Sequence, residues 1–176
     1  MIVNASHLLS MAPIIDMVEG KMVGQGGTSF GLSEAGYDIR IKQTVRFNGC
    51  EGPNTVVVSC PEWADRENPY GEQVKTGRFC LASAIEEFQM PDNLVGIVHD
   101  KSTWARRGLS VFNTVIEPGF IGGLTLELVY HGEEDLIIPA GSGIAQVVFH
   151  QTSCKAHYSG KYQFQSTNPE PARDSI

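Results

Sequence analysis

The sequence predicts a single all-β domain with minor helices, built as a sandwich or a barrel. Many short runs rich in β-branched and aromatic residues follow one another, and clusters of Gly, Pro, Asn and Asp separate them. The chain of 176 residues is 41% hydrophobic, which is enough to bury one core. We find no internal repeat in the sequence, so we expect one domain that spans residues 1–176.

Two segments are predicted to be helical. Residues His7 to Val18 place apolar side chains at helical spacing, and Gly20 follows as a stop signal. Residues Ser102 to Arg107 form a shorter candidate, with Ser102 as the N-cap and Gly108 as the residue that ends the helix. We therefore expect one N-terminal helix and one short helix between strands.

The remaining elements are predicted to be strands and the loops between them. The glycines within residues 22–30 lack the flanking strand and helix of a phosphate-binding loop, and they predict a flexible connection. Residues 62–73 are polar and predict a surface loop, and the tail from Ser166 is predicted to be mobile. The predicted strands are Tyr37–Ile41, Thr44–Phe47, Thr55–Ser59, Phe79–Ala84, Val95–Val98, Leu109–Phe112, Leu124–Tyr130, Leu136–Ile138 and Ile144–His150.

Charge and cysteine content bound the possible partners and the compartment. The formal net charge is −7 and the pI is about 5.2, which argues against a broad surface for nucleic acid or a membrane. The sequence has no apolar run of the roughly 18–20 residues that span a bilayer, and its start does not resemble a signal peptide. The four cysteines show no CxxC spacing. We expect a cytoplasmic protein with free thiols, and a Cys50–Cys60 bridge is the less favoured alternative.

A local cluster of cations and hydroxyl groups occupies residues 101–107. Its members are Lys101, Ser102, Thr103, Arg106 and Arg107. Hydroxyl groups, guanidinium groups and the free N–H groups at a helix start all donate hydrogen bonds to phosphate oxygens. The cluster therefore indicates an anion site, and ordinary solvated charges on a short helix are the alternative.

One carboxylate interrupts a run that otherwise predicts a buried strand. Residues Thr125 to Val129 alternate, so Thr125, Glu127 and Val129 share one face of the strand. That face is solvated in one interpretation. In the other it is covered, and a buried Glu127 beside Arg106 would be ion-paired while desolvation opposes its ionisation.

Three other routes to hydrolysis lack their motifs. His131-Gly132-Glu133 supplies the H-x-E half of a zinc deaminase motif, but no P-C-x-x-C follows it. The sequence contains no G-x-S-x-G nucleophile elbow. Its five histidines show no metal-ligand spacing, so we predict no protein-bound zinc.

Six short motifs, taken in order, resemble the dCTP deaminase branch of the dUTPase-like superfamily, with the longer bacterial members as the nearest likeness. The matches cover most of the chain. They are Gly31–Arg40 (G-L-S-x-x-G-Y-D-[IV]-R), Lys101–Arg106 (K-S-T-x-A-R), Thr114–Phe120 (T-x-x-E-P-x-[WF]), Thr125–Glu127 (T-L-E), Gly143–Gln146 (G-[IV]-A-Q) and Gly160–Gln163 (G-K-Y-Q).

The resemblance implies a distorted β-barrel, or β-clip, of the dUTPase type, assembled as a homotrimer with active sites at the subunit interfaces. It implies hydrolytic deamination of dCTP to dUTP and ammonia without zinc. By the same resemblance Glu127 is the general base and acid, and Arg106 and Ser102 position the water and stabilise charge near it.

The resemblance also implies a set of nucleotide-binding residues, with Mg²⁺ bound together with the triphosphate. Residues 158–176 would form a mobile C-terminal flap over the nucleotide. The binding residues are Lys101, Ser102, Thr103, Trp104, Ala105, Arg106, Glu117, Thr125, Leu126, Glu127, Gln146, Tyr158, Lys161 and Gln165.

Other functions on the same fold stay open at this point. A bifunctional dCTP deaminase and dUTP pyrophosphatase is one alternative, although that chemistry uses an Asp where this chain has Glu117. A deaminase for dCMP or for a modified cytosine nucleotide is another, because Trp104 and Asp100 depart from the family pattern. A different class is a non-catalytic nucleotide-binding trimer, in which Glu127 would be only an interface ion pair.

Overall fold

Fourteen strands and two α-helices form the part of the chain that the computed structural model describes, namely residues 1–48, 52 and 54–174. The strands are β1 (Ile2–Val3), β2 (Lys21–Val23), β3 (Ser29–Leu32), β4 (Tyr37–Arg40), β5 (Thr44–Phe47), β6 (Thr55–Ser59), β7 (Glu72–Thr76), β8 (Phe79–Gln89), β9 (Leu94–Asp100), β10 (Leu109–Phe112), β11 (Val115–Ile116), β12 (Ile121–Tyr130), β13 (Leu136–Ile138) and β14 (Gly143–Gln151). The helices are α1 (Ala5–Met11) and α2 (Ser102–Ala105).

The strands form three antiparallel sheets around one continuous core. The seven-stranded sheet has the order β11-β9-β14-β4-β3-β2, with β1 also paired to β14. The second sheet has the order β10-β12-β8, and the third has the order β13-β5-β6-β7. Buried residues from all three sheets belong to one hydrophobic cluster. The all-β prediction is therefore confirmed, and the arrangement agrees with the distorted barrel that the resemblance implies.

A buried ion pair joins the first two sheets. Glu86 of β8 is 4% exposed, and its two carboxylate oxygens accept hydrogen bonds from the backbone N–H and the Nε of Arg40 in β4, both at 2.8 Å. Burial raises the pKa of Glu86, and the hydrogen bonds from Arg40 oppose that shift. The pair fixes how β4 crosses β8, which in turn sets the position of β12 beside it.

The N-terminal helix is shorter than the sequence predicts. It ends at Met11, and Ala12 adopts a left-handed conformation (φ 44°, ψ 55°) whose N–H donates to two carbonyls of the helix. Pro13 disfavours a helical residue before it and cannot donate a hydrogen bond. Ile14 then pairs with Phe88 of β8, and a turn follows at Ile15 and Asp16. The prediction of a helix over residues 7–18 is wrong beyond Met11.

Two predicted connections contain strands. The glycine-rich segment forms β2 and β3, and the polar loop ends in β7. Both β2 and β7 lie at sheet edges, where their side chains are mostly exposed. An edge strand needs no alternating apolar side chains, so the sequence carries no periodic signal for these two.

Free thiols are observed at three of the four cysteines. Cys60 and Cys80 are buried, and Cys154 is exposed. Burial raises the pKa of Cys80 to about 12. Cys50, and with it the alternative Cys50–Cys60 bridge, lies outside the described residues. Neither helix in the described part of the chain has the length and apolar character needed to cross a bilayer.

Candidate active site

Glu127 lies on β12, the central strand of the second sheet, with apolar residues on both sides. The strand register pairs it with Leu81 of β8 and Phe112 of β10. Leu126 and Leu128 are buried on the opposite face, so the predicted alternation along this strand is confirmed. Burial raises the pKa of Glu127, and no charged partner opposes that shift. The side chain is therefore a partly desolvated carboxylate without the Arg106 ion pair that one interpretation of the sequence required.

Glu127 opens onto a cleft of about 810 Å³. Aromatic and aliphatic side chains form much of its wall, including Phe112, Phe120 and Tyr158. The charged side chains that line the cleft are Glu117, Glu127 and Glu170. No lysine, arginine or histidine of the described residues lines it. The cleft can therefore hold a flat apolar or polar group, but by itself it repels an anion.

The C-terminal tail closes one side of this cleft, and the Thr125 hydroxyl group is one of several groups that hold it there. Thr125 Oγ1 accepts a hydrogen bond from Gln165 Nε2 at 2.6 Å and another from the backbone N–H of Glu170 at 3.1 Å. Gln165 also pairs with Gly122 at the start of β12. The tail is thus attached two residues away from Glu127, and its residues 170–172 form part of the cleft wall.

The end of the described tail folds back on the predicted flap motif. Arg173 donates hydrogen bonds to the Lys161 carbonyl and to the Glu170 carboxylate, and its backbone N–H donates to the Tyr162 hydroxyl. The guanidinium also lies 5.5 Å from the centre of the Tyr162 ring. Lys161 Nζ donates to the Arg173 carbonyl at 2.8 Å. These contacts hold the ammonium group of Lys161 at the tail surface and outside the cleft.

The cationic turn, residues 101–107, precedes the N-terminal end of β10, which is the end away from Phe112. The register places Phe112 opposite Glu127, and Arg106 comes six residues before Phe112. The strand from Leu109 to Phe112 alone spans roughly 10 Å at about 3.3 Å per residue. Arg106 therefore lies outside the cleft that Glu127 of the same chain lines.

The turn presents some of its side chains to solvent and buries others. Helix α2 begins after Lys101 without a side-chain cap, so the prediction of Ser102 as the N-cap is wrong. The helix ends at Ala105 with Arg106 as its C-cap, so the prediction that Gly108 ends the helix is wrong; Gly108, with φ +88°, lies two residues after the C-cap. Ser102, Thr103, Ala105 and Arg106 are exposed, whereas Trp104 is only 1% exposed.

A family model described as dCTP deaminase-like matches residues 8–152. The chain belongs to the dCTP deaminase-like family.

Curated relatives in this family include proteins named dCTP deaminase. The protein from Campylobacter jejuni subsp. jejuni serotype O:2 is 39% identical over 154 residues, which cover 82% of this chain and 81% of the relative. The protein from Sulfurovum sp. is 38% identical over 168 residues, covering 90% and 87%. The recognition of the dCTP deaminase family from the six motifs is therefore confirmed.

One solved structure of a 2′-deoxycytidine 5′-triphosphate deaminase, from Agrobacterium tumefaciens, shares the fold. It superimposes with a TM-score of 0.52 at 13% sequence identity. The match covers 88% of this chain and 50% of the other. At this identity the likeness supports the fold of the family and no individual residue of the site.

The structure separates the site residues that the family motifs identified into two main groups. The cleft is lined by Glu117, Thr125, Glu127, Tyr158 and Gln165. The turn holds Lys101, Ser102, Thr103, Trp104, Ala105 and Arg106. Leu126 is buried in the core face of β12, Gln146 lies on β14, and Lys161 lies in the tail.

Two residues without a predicted role lie at these groups. Asp38 is a buried carboxylate that binds Lys101 and Gln146. Asn113 lines the cleft and donates from Nδ2 to the Thr125 carbonyl at 2.8 Å, and its buried Oδ1 has no hydrogen-bond partner among the described residues. Asp38 stands within the G-Y-D-I-R motif, whereas nothing in the sequence singles out Asn113.

The described residues contain no group of three or more His, Cys, Asp or Glu side chains that could hold a metal ion. Mg²⁺ often needs no such cage, because it keeps several waters and binds to substrate phosphates. The donor set is therefore compatible with Mg²⁺ that arrives on a nucleotide triphosphate.

Proposed function

We propose that this protein hydrolyses dCTP to dUTP and ammonia, within the pyrimidine deoxynucleotide metabolism of the cytoplasm. Membership of the family and the names of its curated relatives support the reaction. The single observation that carries the mechanism is Glu127, a partly desolvated carboxylate in a cleft with aromatic walls.

In this proposal Glu127 is the group that moves protons. As a carboxylate it takes a proton from water, and the resulting hydroxide adds to the carbon that bears the amino group of cytosine. The protonated Glu127 gives that proton to the ring nitrogen as the adjoining carbon–nitrogen double bond opens. Glu127 then takes a second proton from the new hydroxyl group and passes it to the amino group, which leaves as ammonia while the carbonyl group of dUTP forms. A raised pKa favours this return step, because it makes the carboxyl group hold the proton more readily.

We propose that the triphosphate is bound by the turn of a neighbouring copy in a homotrimer. A triphosphate is strongly anionic, and the cleft lining supplies three carboxylates without a described cation. Ser102, Thr103 and Arg106 are exposed on another part of the same chain. A second copy would bring hydroxyl and guanidinium donors to the cleft, with Mg²⁺ sharing the phosphate charge and no zinc.

A product assay tests the reaction. The protein is incubated with dCTP and Mg²⁺, and in parallel with dCMP and with dUTP, while nucleotides are separated and ammonia is measured. We expect ammonia and dUTP to accumulate together from dCTP. Formation of dUMP and pyrophosphate would establish the bifunctional enzyme, and turnover of dCMP alone would establish a monophosphate deaminase. Binding without any turnover would support the non-catalytic trimer.

The pH dependence should report the desolvation of Glu127. Below its pKa this residue is protonated and cannot accept a proton from water, so kcat/KM should fall as the pH decreases. Because burial raises that pKa, the fall should begin above the ordinary range of a glutamate. Phe112→Ser removes an apolar neighbour and should move the acidic limb to lower pH. An acidic limb that stays in place in this variant would contradict desolvation as the cause.

Removal of the tail should weaken nucleotide binding. A chain that ends before Tyr158 loses Tyr158, Lys161 and Gln165, and loss of even one charge-assisted hydrogen bond should raise the Kd for dCTP at least about tenfold. Size-exclusion chromatography should show an unchanged assembly. Thr125→Val keeps the tail but removes a hydroxyl that accepts two of its hydrogen bonds, and it should give a smaller loss. An unchanged Kd after truncation would mean that the tail is not a flap.

A further inference from the structure

Asp38 is a buried carboxylate that collects three donors at the base of the turn. Its side chain is 3% exposed. The Oδ2 atom accepts from Lys101 Nζ at 2.5 Å and from Ser29 Oγ at 3.0 Å, and the Oδ1 atom accepts from Gln146 Nε2 at 3.1 Å. These donors come from β3, β14 and the residue that precedes α2. Asp38 thus connects the first residue of the turn to the seven-stranded sheet.

The ammonium of Lys101 points into the protein. Its side chain is 12% exposed, and its only described ion-pair partner is Asp38. Removing either member of a buried pair leaves the other charge desolvated and unpaired, which is far more costly than losing a surface pair. The charge of Lys101 is therefore already compensated before any nucleotide binds.

A second buried anchor lies one helical turn later. Trp104 Nε1 donates to the Gly143 carbonyl at 2.8 Å, again on the seven-stranded sheet. Residues three apart share one face of a helix, so Lys101 and Trp104 hold the turn from the same side. Ser102, Thr103 and Arg106 remain on the exposed side.

We infer that Asp38 is a positioning residue that fixes the 101–106 turn by binding Lys101, so that Lys101 is an anchor of the turn and not a phosphate ligand. The inference concerns the site of the proposed deaminase and rests on that function. It assigns nucleotide contact at the turn to Ser102, Thr103 and Arg106, whose orientation depends on the Asp38 pair and on Trp104.

The test is a double-mutant cycle with two independent readouts. Lys101→Met, Asp38→Asn and the double variant are compared with the unchanged protein. Thermal unfolding measures the pair itself, and kcat and KM for dCTP are measured at least about 15 °C below the lowest Tm. The exposed pair Lys21–Glu34, with side chains 49% and 83% exposed, supplies a matched control cycle of Lys21→Met and Glu34→Gln.

Each single variant of the buried pair should lower Tm by roughly 6–15 °C and kcat by about tenfold or more. The double variant should recover at least about tenfold in kcat/KM over Lys101→Met, because no buried charge is then unpaired. The Lys21–Glu34 cycle should show additive changes of about 2 °C or less in Tm, since exposed pairs contribute little.

Three results would overturn the inference. A Lys101→Met variant with raised KM, unchanged kcat and no recovery in the double variant would make Lys101 a phosphate ligand. Additive Tm changes at Lys101 and Asp38 would mean that the pair does not form. Lower Tm with unchanged kcat in folded variants would make the pair structural only. Absence of turnover in the unchanged protein would instead refute the proposed function, and the Tm cycle would still report on the pair.

Discussion

Replacing Glu127 with glutamine should lower kcat for dCTP by at least about a hundredfold and up to about ten-thousandfold, which is the usual contribution of a positioned acid–base group. Glutamine has nearly the same shape but cannot accept a proton from water. The strand and its neighbours Leu81 and Phe112 stay unchanged, so the fold and nucleotide binding should be preserved. Steady-state kinetics and calorimetric titration with dCTP would measure the two effects separately.

Two controls distinguish proton transfer from other roles of this carboxylate. Glu117→Gln alters an exposed carboxylate of the same cleft and should change KM more than kcat. Equal amounts of the Glu127→Gln and Arg106→Met proteins are mixed, dissociated and reassembled into random trimers. If each site uses Glu127 of one copy and Arg106 of another, roughly a quarter of the sites receive both intact residues, and roughly a quarter of the activity should return. Retained turnover in Glu127→Gln would refute its role as the base, and no recovery on mixing would refute the shared site.

Replacing Gly143 with alanine should destabilise the protein by about 3 kcal/mol, at the upper end for overpacking of a buried site. A Cβ atom there would lie 1.8 Å from the Ser29 carbonyl oxygen, which is backbone and cannot rotate away. The displacement would also disturb the Gly143 carbonyl that accepts from Trp104. Denaturant unfolding would measure the loss, and activity should decrease with it because the turn loses one of its anchors.

Gly20 supplies the matched control for this substitution. A Cβ at Gly20 meets no atom within 4 Å, so Gly20→Ala should change the free energy of unfolding by less than about 0.5 kcal/mol. Equal stability of the Gly20→Ala and Gly143→Ala proteins would mean that β3 and β14 can separate without cost. In that case the glycine of the G-I-A-Q motif would serve some purpose other than close backbone packing.

The strands of the core were predictable either because their side chains alternate between a buried and an exposed face or because, as in Thr55–Ser59, they form a continuous buried run of β-branched residues. Thr44–Phe47, Thr55–Ser59 and Leu136–Ile138 have the predicted bounds. The edge strands β2 and β7 were missed since exposed edges carry no such pattern. Apolar spacing continues to Val18 and therefore predicts too long a helix. Pro13 disfavours the helical conformation at the residue before it, and the helix ends at Met11.

The site was predictable as a set of residues but not as a geometry. Motif order identified Glu127 and the turn, yet spacing along a chain cannot show that β10 separates them in one copy. It also cannot show which way a side chain points. Lys101 and Trp104 stand among exposed neighbours in sequence, and only the contacts of Lys101 with β4 and of Trp104 with β14 reveal that Trp104 is buried and that Lys101 is mostly so.

All the charged side chains that line the cleft within the described residues are carboxylates, so in the proposed homotrimer catalytic capacity would belong to the assembly and not to a single chain. In the proposed trimer, a copy that dissociates keeps Glu127 and its apolar neighbours but loses the cations that offset the phosphate charge. Its catalytic base would then stay intact while the substrate is repelled. Dilution would therefore abolish the reaction without unfolding the chain. Activity in the cell would rise more than linearly with the concentration of the protein.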